Sequence, residues 1–155
     1  MPEGQLTIAL STMASFELIQ IAGSPERQYL DSLYDYVIGA TDKGELDTVS
    51  GLANSFTISA DGTSFTIKTR TGVTFHNGDA ASAKDVLDRL NRCKAAGSRC
   101  STAGDLNTEL ASLESPDDTT LLVKLKTINI WWHLRTLSLL GSGGSANHVQ
   151  PAFFH

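Results

Sequence analysis

Few thiols, no surplus of basic residues and no long apolar run set the first bounds on this chain. It has two cysteines, Cys93 and Cys100, and no histidine lies near them in sequence. Two thiols supply half of a tetrahedral shell, so no metal site is expected. Lys and Arg number 12 against 17 Asp and Glu, a formal net charge of −5 with a pI near 5.2. A nucleic-acid-binding face needs concentrated positive charge, so that class is excluded; the basic residues gather only in Lys124-x-Lys126 and between Arg89 and Lys94. No stretch approaches the ~20 consecutive apolar residues of a membrane-spanning helix. The opening Met1-Pro2-Glu3-Gly4 leads straight to Leu6 without the basic-then-apolar pattern of a secretory leader. Either a leader has been removed, or this form stays in the cytoplasm.

Catalytic signals are equally sparse, and no enzymatic activity or cofactor is expected. Gly141-x-Gly143-x-x-Ala146 has the letters of a dinucleotide fingerprint, yet it follows an apolar Trp-containing segment and only nine residues remain after it. The acid required about 20 residues further on therefore has no place. The histidines His76, His133, His148 and His155 show no metal-ligand spacing. No Gly-x-Ser-x-Gly elbow singles out a nucleophile. Glu114, Asp117 and Asp118 lack the oxygen ladder and glycine of a calcium loop and read as a solvated turn.

What is present is a well-marked run from Leu52 to Leu90. Phe56, Ile58 and Ala60 alternate with Ser55, Thr57 and Ser59, the period of a half-buried strand. Asp61-Gly62 tolerates positive φ and predicts a hairpin. The return strand, Ser64 to Arg70, sets Phe65 and Ile67 on one face and Thr66, Lys68 and Arg70 on the other. Thr71-Gly72 permits a turn, Val73 and Phe75 resume the alternation, and His76-Asn77-Gly78-Asp79 breaks it, with His76 expected to support that turn. Ser82 and Asp85 form a variant capping box, after which Val86, Leu87 and Leu90 recur at helical spacing.

The remainder reads more coarsely. Residues 6–10 form a strand, Pro25 to Val37 an amphipathic helix, Val37 to Thr41 a short strand, and Asp42-Lys43-Gly44 a turn. Residues 105–112 suggest a short helix before a strand near Leu113, Ser115 to Asp118 a turn, Thr119 to Lys126 a strand, and Ile130 to Leu140 a helix. Cys93 falls at a helix end and Cys100 in the following loop, with Gly97 suited to the position just past the helix. They form either a disulfide, which suits an oxidising compartment, or two free thiols. The organisation is one domain over 1–140, a Gly/Ser tether at 141–145 and a tail at 146–155 that docks back or meets another chain. At 155 residues such a domain can bury about 70% of its unfolded surface, enough for a sizeable core.

The order of these features resembles the peptide-binding class, family 5, of the extracytoplasmic solute-binding proteins that serve ABC importers. The residues that carry the resemblance are Leu52-Ala53, Phe56, Asp61-Gly62, Phe65, Arg70, Gly72, Phe75-His76, Gly78-Asp79 and Ala83-Lys84-Asp85-Val86. Leu6 to Leu10, Leu33-Tyr34-Asp35 with Ile38-Gly39, and Asp117 through Leu125 extend it over roughly residues 5 to 140. The resemblance implies a mixed α+β fold: an antiparallel or mixed sheet with flanking helices, like the N-terminal subdomain of a periplasmic-binding-protein-like fold. It implies a peptide or other small solute as ligand, an ABC permease as partner, and a periplasmic or extracytoplasmic setting. Members of the family are usually much longer and close two lobes on the ligand, so this chain is expected to bind solute on an open surface, if at all.

In the resembled family, loops leaving the sheet at the end of the first strand line the ligand cleft. That places Ser11, Thr12, Met13 and Phe16 as candidate ligand contacts. Trp131-Trp132 is the other candidate. Neighbours on a helix point ~100° apart, so one indole is expected inside and the other at the rim. A stand-alone interaction module, possibly a homo-oligomer built on apolar surface left bare by the absent lobe, is the alternative function.

Overall fold

Asp61-Gly62 turns the chain where expected, and the hairpin it makes is the centre of the fold. The computed structural model describes residues 34–137 except 42, 44, 99 and 101, together with residue 7 and residues 148–149. Its elements are β1 (Asp35–Tyr36), β2 (Gly39–Ala40), β3 (Leu46–Asp47), β4 (Ala53–Ile58), β5 (Ser64–Thr69), α1 (Ala83–Lys94), α2 (Ala103–Glu109), β6 (Leu110–Asp117), β7 (Thr120–Leu125), α3 (Trp132–Leu137) and β8 (His148–Val149). Four strands form an antiparallel sheet in the order β4-β5-β7-β6; β2 pairs with β3 and β1 with β8, both also antiparallel. The fold is mixed α+β.

The central pair β5 and β7 alternates cleanly. Phe65 and Ile67 face the same way as Val123 and Leu121, opposite which they sit, and all four are buried. The edge strands break the alternation. On β4, Ala53 pairs with Thr69 and Ser55 with Lys68, so two residues oppose one and a bulge lies between. On β6 the same happens between Leu110, opposite Leu125, and Ser112, opposite Lys124. Each bulge inserts one residue and so reverses the in–out parity. Ala53 and Phe56, three apart, can thus face one core, as can Leu110 and Leu113.

Helix α1 lays Ala83, Val86, Leu90 and Cys93 into that core. Its start is fixed by Asp85, whose carboxylate accepts from the Ser82 backbone N–H at 2.8 Å and from Ser82 Oγ at 2.7 Å. The Ala83 N–H donates to Asp118 O at 2.8 Å, which ties the helix to the β6–β7 turn. Helix α3 closes the other end. Trp132 is fully buried against Phe65, with ring centroids 5.7 Å apart, and the Ile38 N–H donates to Leu137 O at 2.9 Å.

Several expectations need correction. Asp35–Tyr36, read as the end of a helix, is a strand; the rest of that predicted helix, and the strand predicted at 6–10, lie outside the described residues. Ser115 to Asp118 is not a turn: β6 runs through Pro116 to Asp117, and the chain reverses at 118–119. Proline is tolerated because β6 is an edge strand with a register irregularity between Glu114 and Asp117. Ile58 is 38% exposed, and Ala60 lies exposed in the turn rather than within the strand. Val73 and Phe75 flank a single bridge between Thr74 and Ala80, not a strand. Gly97 does have positive φ, but it sits two residues beyond the cap Ala95, in a turn closed by the Ser98 N–H on Ala95 O. Helix α3 starts at Trp132 rather than Ile130. The proposed tether at 141–145 lies outside the described residues; of the tail, His148–Val149 pairs with β1.

Candidate functional site

Of the candidate ligand contacts, Ser11, Thr12, Met13 and Phe16 lie outside the described residues. Trp131 and Trp132 are described, and they part company. Trp132, the first residue of α3, is fully buried, whereas Trp131, in the turn before it, is 66% exposed. Trp131 does not stand alone. Ile128 and Ile130 are also exposed, and a Cβ on Gly62 would come within 2.9 Å of Ile130 Cγ2 and 3.0 Å of Ile128 Cγ2. The hairpin tip and the loop before α3 therefore make one apolar corner, with Gly62 as the residue that lets the two isoleucines lie across the turn. The Trp131 N–H donates to Asn129 Oδ1 at 3.2 Å, which fixes the approach to the helix.

Behind this corner is an aromatic cluster. The His133 ring lies 5.2 Å from Phe56 and 5.4 Å from Phe65, centroid to centroid. His133 Nδ1 and Trp132 Nε1 are buried with no hydrogen-bond partner among the described residues. Burial pushes the His133 imidazole below its ordinary pKa.

A second feature is a depression of about 180 Å³ lined by Phe75, Asp85, Asp88, Arg89 and Arg92 on the flank of α1. Small-molecule sites are typically ~300–1,000 Å³, so this one suits an ion or a single side chain rather than a peptide. Its charges offset: Asp85 serves the helix cap and Asp88 pairs with Lys84 at 2.8 Å.

The turns are held by their own side chains. Asp61 accepts from Ser59 Oγ at 2.5 Å, from the Thr63 N–H at 3.1 Å and from Thr63 Oγ1 at 2.9 Å; these bonds, that of Ser59 foremost, hold its carboxyl at about 2. Asp117 is likewise held at about 2, first by Thr120 and then by Thr119. At the Phe75–Asp79 turn, Asn77 Oδ1 accepts from the Asp79 N–H at 3.1 Å, and Gly78 takes a φ of +90°. The sequence marks His76-Asn77-Gly78-Asp79 as this turn and expects His76 to support it; the bond between Asn77 and Asp79 is a hold that the Asn-Gly-Asp run signals as well. Arg70, one of the residues that carry the family resemblance, has a role that the sequence does not announce. Its Nε donates to Gly51 O at 2.8 Å and its Nη2 to Thr48 O at 2.6 Å, acceptors about twenty residues away in sequence that no local pattern announces.

Cys93 and Cys100 are joined as a disulfide with Cα atoms 5.3 Å apart, and Thr102 Oγ1 lies 3.4 Å from one sulfur and 3.3 Å from the other. Among the described residues there is no cluster of three or more His, Cys, Asp or Glu that could hold a metal ion, and no helix is long and apolar enough to cross a membrane.

The mixed α+β fold is like that of solved periplasmic binding proteins. Residues 47–142 match the model of the bacterial extracellular solute-binding proteins, family 5 (middle region), and the chain belongs to that family. Among its relatives is the glutathione-binding protein GsiB of Pectobacterium atrosepticum, 32% identical over 117 residues; the match covers 76% of this chain and 22% of GsiB. Among solved structures, the periplasmic binding protein AgaA of A. tumefaciens R10, in complex with agropinic acid, superposes with a TM-score of 0.68 at 23% identity, over 82% of this chain and 24% of AgaA. The Haemophilus influenzae OppA complex with the peptide RPPGFSPFR gives 0.66 at 21% identity, over 72% of this chain and 25% of OppA. The chain thus spans about a quarter of the length of the proteins it matches.

Proposed function

We propose that this chain is part of an extracytoplasmic receptor that delivers a peptide-like solute to an ABC permease. Within that receptor it serves as scaffold and as one wall of the solute site, too open to enclose a solute by itself. The observation that carries the reading is the family match over residues 47–142, set against coverage of only 22% of GsiB. The residues on which the sequence resemblance rests build the hairpin, the turn and the capped helix, which supports a scaffold role. The shallow depression beside α1, at about 180 Å³, is too small for a peptide. Trp131 at the apolar corner, and Ser11, Thr12, Met13 and Phe16 from the loop after the first predicted strand, are the proposed solute contacts. Isothermal titration with a mixed peptide library tests the claim of openness. No saturable heat in the micromolar range is expected from the isolated chain, and micromolar capture would overturn it.

A further inference from the structure

We infer that the open edge of β4 is a self-association surface, through which two copies of this chain join their sheets strand to strand about a two-fold axis at Thr57. The inference stands apart from the solute-binding proposal. β4 and β6 are the two edges of the four-stranded sheet. An edge strand presents unpaired N–H and C=O groups, which proteins usually blunt with charge, proline or bulges. β6 is blunted: it carries Glu114, Pro116 and Asp117 and two register irregularities. β4 is not. From Leu52 to Ala60 there is no charged residue and no proline, and the one irregularity lies at the start of the strand, between Ala53 and Ser55. Asn54, Ser55, Thr57 and Ile58 are exposed. Among the described residues, β5 is the only strand that pairs with β4.

The direction of the free groups follows from the hairpin. The Ser59 N–H donates to Ser64 O at 2.9 Å, so Ser59 bonds towards β5. Bonding positions alternate along an antiparallel pair. Thr57 and Ser55 therefore also bond to β5, and Phe56 and Ile58 turn their N–H and C=O outward. The bulge ends this row on one side and the Asp61-Gly62 turn ends it on the other. A second, antiparallel copy satisfies both residues in one register, with Phe56 opposite the second copy's Ile58 and Thr57 opposite its counterpart. That register makes four intermolecular hydrogen bonds.

The same register matches the side chains. Phe56 and Ile58 lie opposite Ile67 and Phe65, on the core side of the sheet, so each Phe56 meets an Ile58 that is 38% exposed in the single copy. On the solvated side Thr57 meets Thr57 and Ser55 meets Ser59, hydroxyl beside hydroxyl. Charge selects the same strand. Each copy carries a net −5, and a charge-free edge lets two copies approach without like charges set opposite each other.

The test is sedimentation velocity on the intact chain from about 5 μM to about 1 mM, with Thr57→Lys and Thr57→Glu alongside. A contact of this size should give a weak dimer, half formed at roughly 10–100 μM. Each variant alone sets like charges together at the axis and should weaken association about fivefold or more, and an equimolar mixture of the two should restore it. In the wild type, amide exchange at Phe56 and Ile58 should slow about fivefold or more between the lowest and highest concentrations, with Thr57, already bonded to β5, as the internal reference. A strict monomer at about 1 mM would overturn the inference. So would a dimer that both variants leave intact, which would move the contact elsewhere, or a mixture that stays monomeric. Should the variants fail to fold, the wild-type exchange decides: rates at Phe56 and Ile58 that do not depend on concentration refute the strand pairing.

Discussion

Arg70 is the side chain whose loss should reveal most about how the hairpin is anchored. It leaves the end of β5 and reaches back to the carbonyls of Gly51 and Thr48, while its own N–H donates to Leu52 O at 3.0 Å. The segment entering β4 is thus clasped by one guanidinium. Hydrogen bonds from charged donors contribute roughly 1.5–3 kcal/mol each. Arg70 is half-buried, and the Thr48 carbonyl lies where water can replace the lost donor, but Gly51 is buried and its carbonyl would go unsatisfied. Arg70→Met should therefore lose about 2 kcal/mol rather than the full sum. Arg70→Lys keeps the charge but not the planar fork that reaches two acceptors, and should lose about 1 kcal/mol. At about 2–4 °C per kcal/mol, the methionine variant should melt about 4–8 °C lower. Urea unfolding followed by far-UV circular dichroism is the assay, with an unchanged m-value showing that stability alone has shifted. If both variants stay within about 0.5 kcal/mol of wild type, the clasp is ornamental and the reasoning fails.

Other outcomes follow from the same structure. A Cβ on Gly51 would meet Gly39 N at 2.5 Å and Val37 O at 2.8 Å, backbone atoms that cannot step aside; Gly51→Ala should cost about 3 kcal/mol, and a variant that melts like wild type would refute the close approach. Trp131→Ser should leave stability within about 0.5 kcal/mol and remove the iodide-quenchable part of the tryptophan emission, whereas Trp132→Ala should cost about 3–5 kcal/mol. Acid should act in two windows. His133 has its pKa lowered by burial, so its stabilising effect is complete above about pH 6.5 and declines as pH falls below that, with a slope of at most about 1.4 kcal/mol per pH unit. Asp61 and Asp117, held at about 2 against an ordinary 3.8, stabilise the fold above about pH 4 and lose that contribution as pH falls toward 2. His133→Phe should erase the upper window and Asp61→Asn should flatten the lower one, as read from unfolding midpoints across pH.

Much of the hairpin was legible because its signals are local. Asp61-Gly62 supplies the turn, Phe65 and Ile67 supply a clean period of two, and Ser82 with Asp85 caps α1. The edge strands were less legible because their parity is reset by bulges. Nothing local says that Ala53 and Phe56, three apart, face one way, since the bulge is defined by pairing with β5. Pro116 read as a turn for the same reason: whether a proline can lie in a strand depends on whether that strand is an edge. The apolar corner was half visible. The Trp131-Trp132 pair implied one exposed indole, but the neighbouring isoleucines meet the hairpin tip only through a glycine some seventy residues earlier. Arg70 could be named from the family pattern, yet its acceptors are backbone carbonyls, which carry no residue-type signature.

The most direct measurement is a segment exchange. The stretch of Pectobacterium atrosepticum GsiB that aligns with this chain is replaced by the corresponding residues here, and glutathione titration and thermal unfolding are followed on the purified chimera. If these residues are the scaffold of a solute receptor, the chimera should unfold cooperatively and keep its affinity within about tenfold of the parent. A chimera that folds cooperatively but no longer binds would show that the segment does not do in the receptor what is proposed for it.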